Sequence, residues 1–255
     1  TTSGSTLQVM SGATIEDERI DLSIDLDYFL DEGKDTFSTG FSKENDYLSL
    51  HWGLGAERSY NDKNTTFNVA GSFSHDTIEP TDAELFPTIR PEKETRYSVD
   101  LFAGLAQILT RSSTAQVTVN YKHSAGYLGD PYKAVAQIGG GNLSDERPDE
   151  KNQVSLLARY RHHFESIGAS AHLDYRFYTD DWNVISHTVE VAWYQTTWEW
   201  LTITPSIRWY SQSKADFYEP ILPVGVAPLE RTSDYRLSPY GALSGKLKVD
   251  VELID

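Results

Sequence analysis

Apolar and polar residues alternate along most of this chain, and that alternation is the feature that most limits its fold. Between Ile20 and Leu30 the even positions are apolar or aromatic, and positions 21, 23, 25 and 27 are Asp or Ser. A period of two puts one set of side chains on each face of a β-strand, whereas a helix would scatter the aspartates around its circumference. The segment therefore predicts a strand with one apolar and one acidic face.

The same pattern recurs in ten further segments, one of them, at residues 36–42, weaker than the rest. The others cover residues 48–57, 66–73, 97–106, 116–122, 153–161, 169–177, 188–193, 201–209 and 243–253. The chain thus has roughly a dozen predicted strands of about ten residues each, which is the length of a membrane-spanning strand. Strands of soluble sandwiches are usually shorter, at about 5–6 residues. No stretch of the chain predicts a helix.

Three residues interrupt the alternation. Pro205 lies inside a predicted strand and has no N–H for the ladder, so we expect it to mark a bulge. Phe102 and Leu157 fall on polar faces, and we expect both to pack inside the structure.

The connections between the predicted strands fall into two classes. Every second connection is short; these lie near residues 31–34, 60–64, 110–113, 165–166 and 196–198. The connections between them include three long loops, at residues 76–95, 124–151 and 211–233. Two further connections on the long side, near residues 45 and 179–182, are short. Short turns at one end and long loops at the other are typical of outer-membrane barrels, in which the turns are periplasmic.

An apolar face and a polar face fit two architectures. In a soluble barrel the apolar residues point inward, whereas in a transmembrane barrel they face lipid and the charges line the lumen. Long strands, asymmetric connections and polar faces with charges of both signs favour the transmembrane barrel. Only 39% of the residues are hydrophobic, which suits a wall in which every second residue is apolar. Aromatic residues near strand ends suit interfacial girdles, namely Tyr28, Tyr121, Tyr160, Tyr175, Trp193, Trp198 and Trp209.

We therefore predict an all-β fold, an antiparallel up-and-down transmembrane β-barrel that forms a single domain over residues 1–255, in the bacterial outer membrane. The soluble alternative, a ligand-binding barrel, predicts instead that Leu22, Ile24 and Val191 line an apolar cavity.

Charged residues of the polar faces are the predicted lining of the lumen. They are Asp21, Asp25, Asp27, Asp100, Arg159, Arg161, Asp174, Arg176, Glu190 and Arg208. Because rings of carboxylates favour cations, the three aspartates of the first strand are candidates for a cation path. A structural network in which the carboxylates pair with arginines is the more ordinary role for any one of them.

Five segments of the chain resemble a known bacterial family. They are Ser-Gly-Ala at residues 11–13, Glu-Asn-Asp-Tyr-Leu-Ser at 44–49, Asn-Asp-Lys-Asn-Thr-Thr at 61–66, Gly-Tyr-Leu-Gly-Asp-Pro-Tyr-Lys at 126–133 and Arg-Leu-Ser-Pro-Tyr-Gly-Ala at 236–242. In this order and spacing they are similar to the family catalogued as domain of unknown function 3570, over nearly the whole sequence. The resemblance implies an outer-membrane barrel and no assigned activity.

Members of that family are typically longer than this chain. They carry a signal peptide and further strands before the Ser-Gly-Ala segment, and they continue beyond the position of Asp255 to a final strand. We therefore expect the chain to be part of a longer barrel. Members are often encoded near a flavin transferase, a thioredoxin-like protein and a small lipoprotein. This setting implies a link to envelope redox chemistry and a partner such as a lipoprotein or an electron carrier.

The segment at residues 126–133 is also the most distinctive loop, and three glycines follow it at 139–141. One interpretation is a constriction or partner-docking loop, with Tyr127, Asp130, Pro131, Tyr132 and Lys133 as its candidate residues. The other is a flexible connection with ordinary turn chemistry. The glycines do not indicate a phosphate-binding loop, since no Gly-Lys-Ser/Thr ending follows them.

Other classes of function have less support. The net charge of −16 argues against nucleic acid, and the absence of cysteine excludes a thiolate metal site. Neither the seven histidines nor the acidic loops show the spacing of a metal site, so solvated charge is the expected role of those acids. No nucleophile-elbow motif is present. We predict no metal, no cofactor and no enzymatic activity.

The sequence as a whole predicts a porin-like outer-membrane barrel that acts as a pore, or as a scaffold or sheath for an envelope partner. A soluble ligand-binding barrel and a barrel enzyme are the alternatives that remain open.

Overall fold

A computed structural model of the chain describes residues 9–10 and 18–252. Fourteen strands form in them, numbered here in chain order: β1 Val9–Met10, β2 Ile20–Leu30, β3 Gly33–Lys43, β4 Tyr47–Tyr60, β5 Thr65–Ile78, β6 Glu94–Thr110, β7 Ser113–Gly126, β8 Lys133–Ala136, β9 Asn142–Ser144, β10 Glu150–Phe164, β11 Ala169–Asp180, β12 Ile185–Trp198, β13 Leu201–Gln212 and β14 Tyr240–Val251. Three short 3₁₀ helices cover Ala83–Leu85, Glu165–Ile167 and Tyr235–Leu237. The Ser-Gly-Ala segment at 11–13 and Leu253 of the last predicted strand lie outside the described residues.

Eleven of these strands form one antiparallel sheet, from β2 to β14, in which chain neighbours are also hydrogen-bonded neighbours. The single departure is that β7 pairs with β10, because β8 and β9 belong to a separate small sheet with β1. The predicted all-β, antiparallel, up-and-down fold is therefore confirmed. Strands of the main sheet are 11 to 17 residues long, longer than the ten predicted, because pairing continues past the alternating segments.

The main sheet is open in the described part of the chain. β2 and β14 are its two edge strands, and no pairing joins them. Every residue of β2 and β14 is exposed for this reason.

Burial in the sheet is the reverse of that in a soluble protein, where apolar residues are the buried ones. On the apolar face Leu54 is 67% exposed and Val69 is 55% exposed, whereas Ser98 and Asp76 on the polar face are only 4% and 3% exposed. Polar side chains of β4, β5, β6, β7 and β10 together line one cavity, which shows that the sheet curves around its polar face.

The soluble alternative is therefore wrong on its own criterion. Val191, on a strand that is paired on both sides, does not line an apolar cavity but is 43% exposed on the outer face, and the strand register puts Leu22 and Ile24 on the same face.

Aromatic rings form contacts on the outer face near both ends of the strands. At the turn end Phe164 lies 5.5 Å from Trp193, and Trp198 stacks on Trp200 at 5.4 Å. Toward the loop end Phe177 lies 5.3 Å from His187. On β12, His187 and Trp193 are separated by roughly 20 Å at the usual rise of a strand. Two aromatic bands therefore border an aliphatic belt.

The predicted asymmetry of the connections is present. One end of the sheet has five short turns, at residues 31–32, 61–64, 111–112, 165–168 and 199–200, and the other end has the connections 44–46, 79–93, 127–149, 181–184 and 213–239. Asn61, Asp62 and Lys63 have φ angles of 53°, 54° and 65°. Asn and Asp tolerate this left-handed region better than other residues with a side chain. No helix among the described residues is long and apolar enough to cross a bilayer, a finding that concerns helical spans alone.

Of the three residues that interrupt the alternation, one behaves differently from expectation. Pro205 pairs in register with Leu247, and the shift between β12 and β13 lies instead near Thr196 and Trp198. A bulge at Pro205 was the wrong expectation, because a missing donor removes one hydrogen bond without requiring an extra residue. Phe102 lies inside, against Gly104, and Leu157 is partly buried.

Candidate functional site

The two longest loops, residues 127–149 and 213–239, fold together at one end of the sheet, and we call this unit the loop cap. Its backbone is joined by hydrogen bonds from Leu222 N–H to the Ala136 carbonyl, at 2.9 Å, and from Arg231 N–H to the Glu146 carbonyl, at 2.7 Å. The turn between β8 and β9 uses the three glycines at 139–141, whose φ angles of 89°, 108° and 102° suit glycine alone. Backbone hydrogen bonds therefore join the two loops into one folded unit.

A small apolar core stabilises the loop cap from below. It consists of Trp182, Val184, Ala215, Phe217 and Leu237, all buried. The rings of Trp182 and Phe217 meet edge to face at 5.1 Å, a geometry that contributes beyond the burial of area alone. The indole N–H of Trp182 donates to the Glu150 carbonyl at 3.1 Å. Through Trp182 the loop cap is attached to the end of the main sheet.

Asp234 is the centre of the charged part of the loop cap, with a side chain only 1% exposed. Its carboxylate lies 2.7 Å from Lys133 Nζ, 3.1 Å from Arg147 Nη2 and 2.6 Å from Arg236 Nη2. Burial by itself would raise the pKa of this carboxyl, but hydrogen bonds from Arg236 and Lys133 hold the pKa well below its usual range. One carboxylate thereby joins both loops, since Arg147 and Asp234 are 87 residues apart.

Two further aspartates complete this network. Asp130 lies 3.2 Å from Arg236 Nη2 and 3.6 Å from Lys133 Nζ. The buried carboxylate of Asp145 accepts from Arg147 Nε at 2.6 Å and from the Thr232 hydroxyl. We call these six charged residues the cap ion cluster: Asp130, Lys133, Asp145, Arg147, Asp234 and Arg236. With three charges of each sign it is balanced, and loss of one member leaves buried charge without compensation.

Two tyrosines of the 126–133 segment are built into the same region. Tyr132 donates its hydroxyl proton to Asp46, and the Arg90 guanidinium lies 5.1 Å from the centre of its ring. Burial and the hydrogen bond to Asp46 raise the pKa of Tyr132 to about 12. Burial, with the charge of Asp145 nearby, also raises the pKa of Tyr127. Through Arg90 the third long loop, residues 79–93, contacts the loop cap.

The loop candidates predicted from the sequence thus come together. Asp130 and Lys133 are members of the cap ion cluster, and Tyr127 and Tyr132 lie beside it. Pro131 and Tyr132 line a cavity of about 510 Å³, the mouth cavity, together with Asp46, Asp234 and Arg236.

A second cavity of about 390 Å³, which we call the chamber, lies on the polar face of the sheet beneath the loop cap. Arg96 donates to Asp76 at 2.7 Å and to the Tyr47 hydroxyl at 3.0 Å, and Ser49 donates to Asp76 at 2.7 Å. The hydroxyls of Ser98 and Ser124 lie 2.9 Å apart in the wall.

Predicted lumen residues of the first strand lie on the polar face, at the β2 edge of the sheet. Asp21 pairs with Arg19 at 3.2 Å, and Asp27 accepts from the Thr36 hydroxyl at 2.6 Å and lies 3.3 Å from Lys34. Asp25 lies between them on the same face and pairs in register with Ser38. None of these three is part of the loop cap or the chamber.

The remaining predicted lumen residues lie on the inward positions of more central strands. Asp100 lies 3.4 Å from Lys122 and lines a lower cavity of about 510 Å³. Asp174 lies 3.6 Å from Arg159 and also pairs with Arg161. On the neighbouring strands, Glu190 lies opposite Asp174 on one side and opposite Arg208 on the other. Arg176 lies opposite Thr188.

Sequence reasoning placed Asp145 only among the solvated loop acids, missed Arg147 and Asp234 and did not assign Arg236 a role. Asp145 with Arg147 and Asp234 with Arg236 are each two residues apart, but no local pattern indicates that Arg147 and Asp234, 87 residues apart, meet. One signal was present, however. Three of the five segments that carry the family resemblance, at residues 44–49, 126–133 and 236–242, meet at the loop cap through Asp46, Tyr132, Asp130 and Arg236.

Some acids of the loops are paired with cations, whereas solvated charge was expected for all of them. Asp82 pairs with Arg90, Glu79 with Lys93, and Glu146 lies 3.8 Å from Arg231. The expectation of solvated charge is therefore wrong for Asp82 and Asp145, whereas Glu79 and Glu146 stay about half exposed beside their partners. Within residues 18–252 no group of three or more His, Asp or Glu side chains is placed to hold a metal ion.

Comparisons with known proteins place this chain in a family. Two solved structures are similar in part. CdiB from Acinetobacter baumannii has 11% sequence identity and a TM-score of 0.40, and the match covers 76% of this chain and 38% of that chain. The ferric-catecholate import receptor Fiu from E. coli K12, in its open form, has 7% identity and a TM-score of 0.48, and the match covers 91% of this chain and 50% of that chain. The chain spans half or less of each. No curated protein matches. The family model described as "Protein of unknown function (DUF3570)" matches residues 4–255, and the chain therefore belongs to the DUF3570 family.

Proposed function

We propose that this chain forms the wall of a β-barrel in the bacterial outer membrane and acts as a pore for small polar solutes, with the loop cap over its mouth. The observation that carries the proposal is the reversed burial of the sheet, with its aliphatic face exposed and its polar face turned inward. Water on the outer face would leave a large apolar surface uncovered, whereas lipid covers it at no such cost.

The dimensions of the sheet suit a bilayer. A strand needs about 9–11 residues to cross the hydrocarbon core, and every strand of the main sheet has at least 11. Between neighbouring strands of the main sheet the backbone donors and acceptors are paired, as a low-dielectric surround requires, and the outer edges of β2 and β14 need partners in a closed barrel. The two aromatic bands on the outer face fit the headgroup regions, and the long loops then lie on the cell-surface side.

The inner face supports a pore better than a packed interior. Inward positions of β4 and β5 carry small residues, among them Gly53, Gly55, Ala70 and Ser72, and these residues line the lower cavity. Charged side chains such as Lys34 and Asp100 also line it. This cavity of about 510 Å³ is large enough for water and small solutes. The mouth cavity and the chamber continue this space toward the loop cap.

Conductance across a planar bilayer tests the proposal. Refolded protein should produce discrete current steps, and heat-unfolded protein, as the control, should not. Inserted protein that stays silent at all voltages would contradict the pore and would favour the other role predicted from the sequence, a sheath around an envelope partner. A link to redox chemistry and the absence of enzymatic activity stay predictions.

A further inference from the structure

The chamber beneath the loop cap differs in charge from the chain as a whole. The chain carries a net charge of −16. The chamber is nevertheless lined by four cationic side chains, Arg96, Lys122, Arg147 and Lys151, and by one carboxylate, Asp76. A local excess of cations on the inside of an acidic protein needs a reason, because each buried charge costs desolvation energy.

Two of these cations are neutralised by carboxylates that lie outside the chamber, whereas Lys122 pairs at 3.4 Å with Asp100, which lines the lower cavity. Lys151 Nζ lies 3.0 Å from Asp180, and Arg147 Nε lies 2.6 Å from Asp145, and both of these carboxylates are fully buried and do not line the chamber. The side chain of Asp76, held by Arg96, is itself only 4% exposed. An arginine has five N–H donors and a lysine three, so one carboxylate does not use them all. The surface that meets the chamber is therefore rich in cationic donors.

Neutral donors complete the lining. Ser49, Ser74, Ser98, Ser124 and Gln153 all face the chamber. Hydroxyl and amide groups next to guanidinium and ammonium groups are the usual partners of carboxylate and phosphate oxygens, with which they form short, charge-assisted hydrogen bonds. The volume of about 390 Å³ lies within the range of small-molecule sites.

Building on the proposed pore, we propose that the chamber binds small solutes that carry a phosphate or carboxylate group, and that the pore selects anions at this point. The acidic residues of the first strand, Asp21, Asp25 and Asp27, lie away from the chamber at the β2 edge and do not set this selectivity. The cation path expected from those aspartates is the opposing hypothesis.

Two measurements on the refolded full chain test this inference. The first is calorimetric titration of the protein in detergent with inorganic phosphate. The second is the reversal potential in a planar bilayer under a KCl gradient. Wild-type protein should bind phosphate and pass chloride in preference to potassium. Lys122→Gln should weaken phosphate binding by about fivefold or more, the size expected for one charge near a partly hydrated site.

Lys34→Gln is the matched control. The side chains of Lys34 and Lys122 are 37% and 39% exposed, and each pairs with one aspartate. Lys34 lines the lower cavity and not the chamber, so its replacement should leave phosphate binding unchanged. Gln153→Glu is a second variant that breaks no ion pair, and by adding a negative charge to the chamber it should also weaken binding.

The outcomes separate the inference from the proposed function. Current that is cation-selective, with no phosphate binding, would overturn the anion chamber while the pore stands. A second outcome is protein that passes no current but binds phosphate, with binding lost in Lys122→Gln and Gln153→Glu and kept in Lys34→Gln. This result would support the site and contradict the pore. Equal effects of all three variants would show non-specific attraction and overturn the inference.

Discussion

Replacement of Asp234 by Asn is the substitution to which the loop cap should be most sensitive. The carboxylate of Asp234 is almost completely buried and contacts Lys133, Arg147 and Arg236 at 2.7, 3.1 and 2.6 Å. An Asn side chain keeps the size but removes the negative charge. Three cations then remain around a neutral group, with the carboxylates of Asp130 and Asp145 left to compensate them.

The magnitude follows from the burial of the cluster. Removing one partner of a buried ion pair costs about 3–5 kcal/mol. About 1.4 kcal/mol corresponds to a factor of ten in an equilibrium constant, so the population of opened loop cap should rise by about a hundredfold or more. The main sheet does not depend on Asp234, since its strands pair with one another.

Hydrogen exchange measured by mass spectrometry reads this opening directly. Exchange should accelerate in peptides that contain Leu222, Arg231 and Glu146, whose backbone groups join the two loops, and should stay unchanged in β5 and β6. Asp216→Asn is the control, because Asp216 lies exposed in the same loop and accepts only from the Asn183 amide. A change of less than threefold in Asp234→Asn would refute the central role of Asp234.

Two further effects should follow from the same contacts. The pKa of Asp234 is lowered in the folded loop cap. Its contribution to the stability of the loop cap is therefore present above the unfolded pKa of about 3.9 and is lost as the pH falls toward the folded pKa. Hydrogen-exchange protection of the loop cap, corrected for intrinsic rates, should be constant from about pH 8 to 5 and fall below about pH 4. A Cβ at Gly129 would lie 2.9 Å from the Asp145 carbonyl oxygen, so Gly129→Ala should destabilise the loop cap by about 1–3 kcal/mol, whereas Gly245→Ala, whose nearest atom is 4.0 Å away, should leave its exchange unchanged.

The sheet could be predicted from the sequence because its cause is local. A period of two in segments such as Ile20–Leu30 fixes both the strand and its two faces, and the turns are short enough to pair consecutive strands. The ends of the strands could not be located, because the alternation fades where the outer face reaches polar surroundings. β6, for example, extends to Glu94, beyond the predicted start at residue 97.

The loop cap could be predicted only in part. Composition and resemblance drew attention to residues 126–133, but loops have no periodicity, so nothing local indicated that Lys133 and Arg147 converge on Asp234. The expectation that loop acids are solvated was wrong for Asp145, because its carboxylate is buried where the Thr232 hydroxyl of the other loop, 87 residues away, donates to it. Pairing across the chain is a tertiary property that a single sequence does not display.

The orientation of the two faces of the sheet is the central claim, and lipid contact measures it most directly. The chain has no cysteine, so Val119→Cys and Asn120→Cys each give one attachment point on β7, a strand with neighbours on both sides. Each variant would be labelled with a fluorophore while unfolded and then refolded into vesicles. Quenching by spin-labelled lipid chains at position 119, and by iodide in water at position 120, is the predicted result. Quenching of the label at position 120 by spin-labelled lipid would contradict the proposed orientation of the two faces. Quenching of the label at position 119 by iodide but not by lipid would also contradict it.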